Sequence, residues 1–214
     1  MCRNIIGRNK SLKDIIDVYD NKAEDFFEKF ISCDVKTDNI FKEVFEKNEK
    51  VIDIGAGSGR DMHRLKELGI DIYGTEPSKG LRDLLIERFP DFEKKIFPYA
   101  LPFEKSQFDL FFDGVLLSAV IFHIKEEELE DAIISIKSIL KKKGKVVLSI
   151  SEGERCLDEQ SKDKYGRYFS KFSADKYIRL FQKNGFSLKK IWNQIDSMGR
   201  KDINWKVLFL SLEE

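Results

Sequence analysis

Residues 51–61 read Val-Ile-Asp-Ile-Gly-Ala-Gly-Ser-Gly-Arg-Asp. Three glycines, Gly55, Gly57 and Gly59, close an apolar β-forming run and are followed by an amphipathic segment carrying Met62, Leu65 and Leu68. Glycine permits positive φ and lets a ligand approach the backbone where a Cβ would block it. A helix beginning near Ser58 is expected to turn unpaired N–H groups toward the same point. The spacing is G-x-G-x-G, with Arg60 where the G-x-G-x-x-G dinucleotide signature would have its last glycine, so it is not that full signature. An acid, Glu76, ends the next apolar run at 76 − 55 = 21 positions from Gly55. A ribose-binding carboxylate lies about 20 residues on in a nucleotide-binding βαβ unit. A tight turn without a ligand is the bland alternative; strand, turn, helix and acid together argue for a ligand.

Other residues with chemical capacity are few. His123 is one of two histidines and follows a predicted strand in Ala119-Val-Ile-Phe-His123, where it could act as a base near neutral pH or simply cap a loop. His63 falls on the helix after the glycine turn and is expected to be exposed. Tyr19 is either a lid over the ligand or plain core. Tyr165, Arg167 and Arg200 are candidates for holding an anionic substrate by charge-assisted bonds, against the alternative of solvated loop residues. The acidic run Glu126–Asp131 sits at a predicted helix start, where acids complement the dipole, so no metal site is expected. Cys2, Cys33 and Cys156 are odd in number and lack a C-x-x-C pair, which predicts reduced thiols and a cytoplasmic location.

The elements that must position these groups follow from periodicity. Helical spacing of Ile15, Ile16, Tyr19, Ala23, Phe26, Phe27 and Phe30 predicts a helix opening at Ser11, with a break over 34–39 and a second helix through Ile40–Phe45. Strands are predicted at 50–54, 71–75, 94–97, 108–113, 145–150, 186–193 and 204–211. Helices are predicted at 58–68, 79–88, 126–141 and 173–184. The alternation predicts an α/β protein with a doubly wound, mainly parallel, seven-stranded sheet. Its last two strands, joined by a polar turn, should form an antiparallel C-terminal hairpin. The expected organisation is one domain over 1–214, with a helical cap at 1–48, a core at 49–214 and a loop at 151–169 over the site.

With these elements in place, the chain resembles the class I S-adenosylmethionine-dependent methyltransferases, from about Tyr19 to the C-terminus. Ile52-Asp-Ile-Gly-Ala-Gly-Ser-Gly59 looks like their first motif and Gly74-Thr-Glu-Pro-Ser78 like their second. Leu101-Pro-Phe-Glu-Lys-Ser-Gln-Phe-Asp-Leu-Phe-Phe-Asp113 looks like the approach to the fourth strand and its body, and Ile139–Val146 like the turn into the fifth. Tyr19-Asp20-x-x-Ala23 is similar to the opening helix of the small-molecule and tellurite-resistance-type branch. The resemblance implies a Rossmann-like methyltransferase fold, S-adenosyl-L-methionine as cofactor and S-adenosyl-L-homocysteine as product. It implies that Gly55, Ala56 and Gly57 border the methionine part, that Asp53 helps hold its ammonium, and that Glu76 accepts from both ribose hydroxyls. Pro77 and Ser78 would flank the adenine, Ala100 and Leu101 its other face, and Leu117 and Ser118 the end nearest the sulfonium. Where many members carry an Asp before Leu-Pro, this chain has Phe97-Pro98-Tyr99-Ala100, so adenine would be held by backbone and apolar contacts.

Composition narrows the substrate. Lys+Arg and Asp+Glu are equal at 38, which gives no global field for nucleic acid. No Asn- or Asp-Pro-Pro-aromatic motif follows the fourth strand. No uncharged run approaches the length of a membrane span. The expectation is methyl transfer to a small-molecule acceptor, with an RNA enzyme and a non-catalytic cofactor-binding protein as alternatives.

Overall fold

A computed structural model describes residues 5–33, 36–153 and 155–213. Cys2, and positions 34 and 35 of the expected break, lie outside them. Three helices come first: α1 (Ile5–Asp20), α2 (Ala23–Ile31) and α3 (Asp38–Val44). The first starts upstream of the expected position, so Ser11 lies inside α1 and not at its start. The chain turns at Asn21-Lys22 and splits the expected single helix in two.

Strand and helix then alternate through β1 (Lys50–Ile54), α4 (Arg60–Glu67), β2 (Asp71–Thr75), α5 (Lys79–Arg88), β3 (Ile96–Phe97), β4 (Phe112–Ser118) and α6 (Glu126–Ile139). They are followed by β5 (Leu140–Gly153), α7 (Ala174–Lys183), β6 (Phe186–Ile195) and β7 (Ile203–Leu212). The seven strands form one sheet in the order β3-β2-β1-β4-β5-β7-β6. β1 pairs in parallel with β2 and β4, and β4 with β5. β7 runs antiparallel to both β5 and β6, which is the expected terminal hairpin.

Both faces are covered, because successive side chains of a strand point to opposite sides. Ile52, Ile54, Val115, Val146 and Leu148 pack with Leu129, Ile133 and Ile136 of α6 and Tyr177 and Phe181 of α7. Val51, Leu116 and Val147 pack on the other face with Phe41 and Val44 of α3, Met62 and Leu65 of α4, and Leu81 and Leu85 of α5. Burial of each such side chain contributes about 1.5–3 kcal/mol.

The fourth strand is displaced from its expected place at 108–113. Phe108 instead meets Phe97, Tyr99, Phe103 and Phe112 edge-on at 5.0–6.0 Å, as an aromatic plug ahead of the strand. The strand itself runs through Gly114, where a Cβ would stand 2.5 Å from the Phe45 ring. An apolar run thus held two structures, and periodicity alone did not divide them. β1 and β4 are neighbours from which the chain winds away on opposite faces. That switch point places a crevice beyond their carboxyl ends.

Candidate active site

The glycine turn opens this crevice. Gly55 has φ +73°, and a Cβ there would lie 2.6 Å from Val120 Cγ2. Gly57 has φ +56°, and its Cβ would press the Phe30 ring at 3.3 Å. Both positions therefore need glycine for backbone and for space. Four amides of the turn are engaged within the protein. Gly55 and Ala56 donate to the Thr75 carbonyl at 2.8 Å each, and Gly59 donates to Ala56. Gly57 N–H donates to Glu76 Oε2 at 2.9 Å. The turn is spent on tying itself to the end of β2, and α4 begins at Arg60 rather than near Ser58.

Glu76 is the hinge of this end. It is 5% exposed yet lines the cavity, and its other oxygen accepts from Ser78 N–H at 2.9 Å. Burial pushes its carboxyl up to about 7, more than the two amide donors and Arg82 offset. Asp53, 1% exposed, also lines the cavity, and its Oδ1 has no hydrogen-bond partner. Burial, and after it the nearby Asp61, hold the Asp53 carboxyl well above the usual range. Asp61 escapes the same fate. Burial would raise it, but the Arg60 fork at 2.9 Å to each oxygen leaves it below its ordinary value. Arg60 also reaches the Phe30 and Cys33 carbonyls, which joins the end of α2 to the site. Asp20, at the end of α1, accepts from Ser78 Oγ at 2.7 Å and from Gly80 N–H at 2.9 Å.

The opposite end is made of side chains. His123 Nδ1 lies 2.6 Å from the Tyr168 carbonyl and must donate to it, which leaves the Nε2 lone pair facing Tyr19 Oη at 3.3 Å. Burial brings the imidazole down to about 4, so it is neutral at pH 7. Tyr19 is pushed up by burial, partly offset by Arg167, which donates to its oxygen at 3.3 Å. Arg167 is held by Asp163 at 2.6 Å, and Arg200 by Asp196 at 2.6 Å. Asp196 also accepts from Trp205 Nε1 at 2.7 Å. Phe122, Phe169 and Trp205 form an aromatic wall around these groups.

One cavity of about 290 Å³ joins the two ends. It brings together Tyr19, Asp53, Gly55, Ala56, Gly57, Glu76, Pro77, Ser78, Ala100, Leu101, Ser118, His123, Arg167 and Arg200, all singled out from sequence. Two others lie elsewhere. Leu117 points the opposite way from Ser118 along β4 and is fully buried in the core. Tyr165 packs edge-on against Phe26 at 5.5 Å, outside the lining.

A family model described as a methyltransferase domain matches residues 29–191, well over half of the chain. The chain belongs to this methyltransferase family. It is a class I enzyme that uses S-adenosylmethionine as its cofactor. Among its relatives is an uncharacterized methyltransferase of Geobacillus sp. (strain WCH70), 25% identical over 191 residues, 80% of this chain and 86% of that one. In fold it is similar to the 1,6-didemethyltoxoflavin-N1-methyltransferase of Burkholderia thailandensis, solved with 1,6-didemethyltoxoflavin and S-adenosylhomocysteine. The TM-score is 0.78 at 14% identity, with 100% of this chain and 94% of that one covered. A TehB-like methyltransferase of Corynebacterium glutamicum gives a TM-score of 0.67 at 16% identity, over 91% of this chain and 99% of that one. These two likenesses are of fold.

The methyltransferase site has donors and acceptors suited to that cofactor. The unpartnered, buried Asp53 oxygen is an acceptor in want of a cation. Glu76 keeps spare lone pairs for hydroxyl donors. Among the described residues no group of three metal-ligating side chains converges. The acidic run at 126–131 is a solvated face, with Glu126 paired to Lys176 and Glu130 to Lys183. His63, expected to be exposed, is half-buried; it stacks on Phe89 at 4.7 Å and lies 3.6 Å from Glu67.

Sequence reasoning missed Asp61, Tyr99, Phe122, Arg155, Phe169 and Trp205, which also line the cavity. Arg60-Asp61, directly behind the glycine turn, was a readable signal. The others come from distant segments and carried none. No helix among the described residues is long and apolar enough to cross a membrane.

Proposed function

We propose that the chain methylates a small molecule enclosed at the aromatic end of the cavity. The observation that carries this is the continuity of one cavity, with Glu76 and Asp53 at one end and Phe122, Phe169 and Trp205 at the other, walled by Leu12, Ile15, Ile16 and Tyr19 of α1. The Burkholderia neighbour, solved with 1,6-didemethyltoxoflavin bound, supports it. The reading assigns the reaction to the cytoplasm, in keeping with the unpaired thiols of Cys33 and Cys156.

S-adenosylmethionine supplies an activated methyl group on its sulfonium. Glu76 would accept from the ribose hydroxyls, and Asp53 from the ammonium. Gly55, Ala56 and Gly57 would border the methionine part through backbone, their amides being engaged elsewhere. Pro77, Ser78, Ala100 and Leu101 would enclose the adenine, with Tyr99 beside them. Ser118 would mark the transfer point. The protein mainly orients the reactants and excludes water.

Tyr19 and His123 would serve as a relay at the acceptor. A proton leaving the acceptor would pass to Tyr19 Oη, whose own proton would pass to His123 Nε2. With its conjugate acid near 4, that imidazole is a weak base, which suits an acceptor that is already nucleophilic or readily deprotonated.

Incubation with methyl-labelled cofactor, a small-molecule extract and total RNA tests the assignment. Label is expected in the small-molecule fraction, and label in RNA alone would overturn it.

A further inference from the structure

Three guanidinium groups reach the aromatic end of the cavity, and two of them are neutralised. Arg167 donates to Asp163 through Nε and Nη2, and Arg200 does the same with Asp196. Arg155 is different. Among the described residues it has no carboxylate partner; it donates to Ser151 Oγ and lies over the Phe169 ring at 4.5 Å and the Phe122 ring at 5.5 Å. A guanidinium has five N–H donors. Stacking on ring faces leaves its in-plane donors for a hydrogen-bonding partner. Among the described residues, this end of the cavity sets three arginines against the two carboxylates paired to them. Burial, then Arg200 and Arg167, bring the Arg155 guanidinium down to about 10, the response of a cation short of counter-charge.

We infer that Arg155 is the residue that selects the acceptor, binding a carboxylate of a molecule that lies against the aromatic wall of Phe122, Phe169 and Trp205. Arg–carboxylate pairing is bidentate and directional, so it would fix the acceptor's orientation as well as its charge. The aromatic wall, with Phe122 and Phe169 stacked on each other at 5.3 Å, supplies an apolar surface for the rest of the acceptor. The same guanidinium disfavours cationic acceptors. Arg167 and Arg200, the arginines that the sequence nominated, shape the chamber through Asp163 and Asp196 rather than reading the acceptor's charge. This inference rests on the small-molecule reading above.

The test is a titration of the full chain, alone and saturated with S-adenosylhomocysteine. The probes are benzoate, 4-hydroxybenzoate and anthranilate, each against its neutral amide. At least one carboxylate is expected to bind tenfold or more tighter than its amide. Arg155→Met is expected to abolish that preference while S-adenosylhomocysteine affinity stays within about twofold, and Arg155→Lys to keep part of it. The inference is overturned if no carboxylate outbinds its amide, if the preference survives in Arg155→Met, or if it is lost instead in Arg200→Met. Failure of S-adenosylhomocysteine to bind would strike the cofactor placement, while the carboxylate–amide comparison on the unsaturated protein would still judge Arg155.

Discussion

The two ends of the cavity are built by different means. At the glycine turn, charge is fixed by backbone: Glu76 is held by the amides of Gly57 and Ser78, and the turn by the Thr75 carbonyl. At the aromatic end, charge is fixed by side-chain pairs, Arg167 with Asp163 and Arg200 with Asp196, and by the chain Arg167–Tyr19–His123. Backbone positions a group through the sheet itself, so that end is rigid and suits a ligand that never changes. Side-chain pairs can be exchanged one at a time without disturbing a strand. Such an end can be respecified for a new acceptor.

Substitutions that strike one end only should separate them. Glu76→Gln is expected to weaken S-adenosylhomocysteine binding tenfold to a hundredfold, from about 1.5–3 kcal/mol of charge-assisted bonding. Calorimetry would measure it, and unchanged affinity would remove Glu76 from the ribose. Arg155→Met, by contrast, should leave that affinity alone.

The pH response sharpens the contrast further. Ribose hydroxyls need Glu76 ionised, and its free-state value is about 7. Cofactor affinity should therefore fall as pH drops below about 7, by up to about tenfold per unit, with proton release on binding seen in buffers of different ionisation enthalpy. Stability without cofactor should carry two opposed contributions. Glu76 has its folded value raised above 4.5, so the folded chain takes the proton first, and acidification from about 7 toward 4.5 stabilises. His123 has its folded value lowered from 6.5 to about 4, so the unfolded chain takes the proton first, and acidification across that window destabilises. Thermal melts of Glu76→Gln and His123→Gln should lose opposite slopes; equal slopes would dissolve the distinction.

The smallest effect belongs to Tyr19→Phe. Loss of the hydroxyl, which faces His123 and accepts from Arg167 across long bonds of 3.3 Å, should reduce turnover by up to about tenfold and leave cofactor affinity within about twofold. A larger loss of affinity than of turnover would place Tyr19 over the cofactor instead.

The glycine-turn end was largely legible in the sequence because it is local. Gly55, Gly57 and Glu76 lie on one strand-turn-helix-strand unit, and each type answers a backbone requirement. Even so, the sequence suggested amides offered to a ligand, whereas Thr75 and Glu76 consume them. The fourth strand was misplaced for a similar reason. Phe108 and Phe112 are equally apolar whether they plug a cluster or pair in a sheet. The aromatic end was legible only in fragments: Tyr19, His123, Arg167 and Arg200 were noticed, but Arg155, Phe122, Phe169 and Trp205 were not.

What the sequence determined by itself was the α/β alternation, the glycine turn and the acid at the end of the second strand, since these depend on neighbours within a few residues. What the tertiary structure alone decided was what Arg155 faces. Asp163 and Asp196 stand four residues before Arg167 and Arg200, so those two pairs are local, whereas only folding brings the Phe122 and Phe169 rings against Arg155 and gathers all three guanidinium groups at one cavity. That convergence is a matter of distances between distant segments, and no local pattern records it.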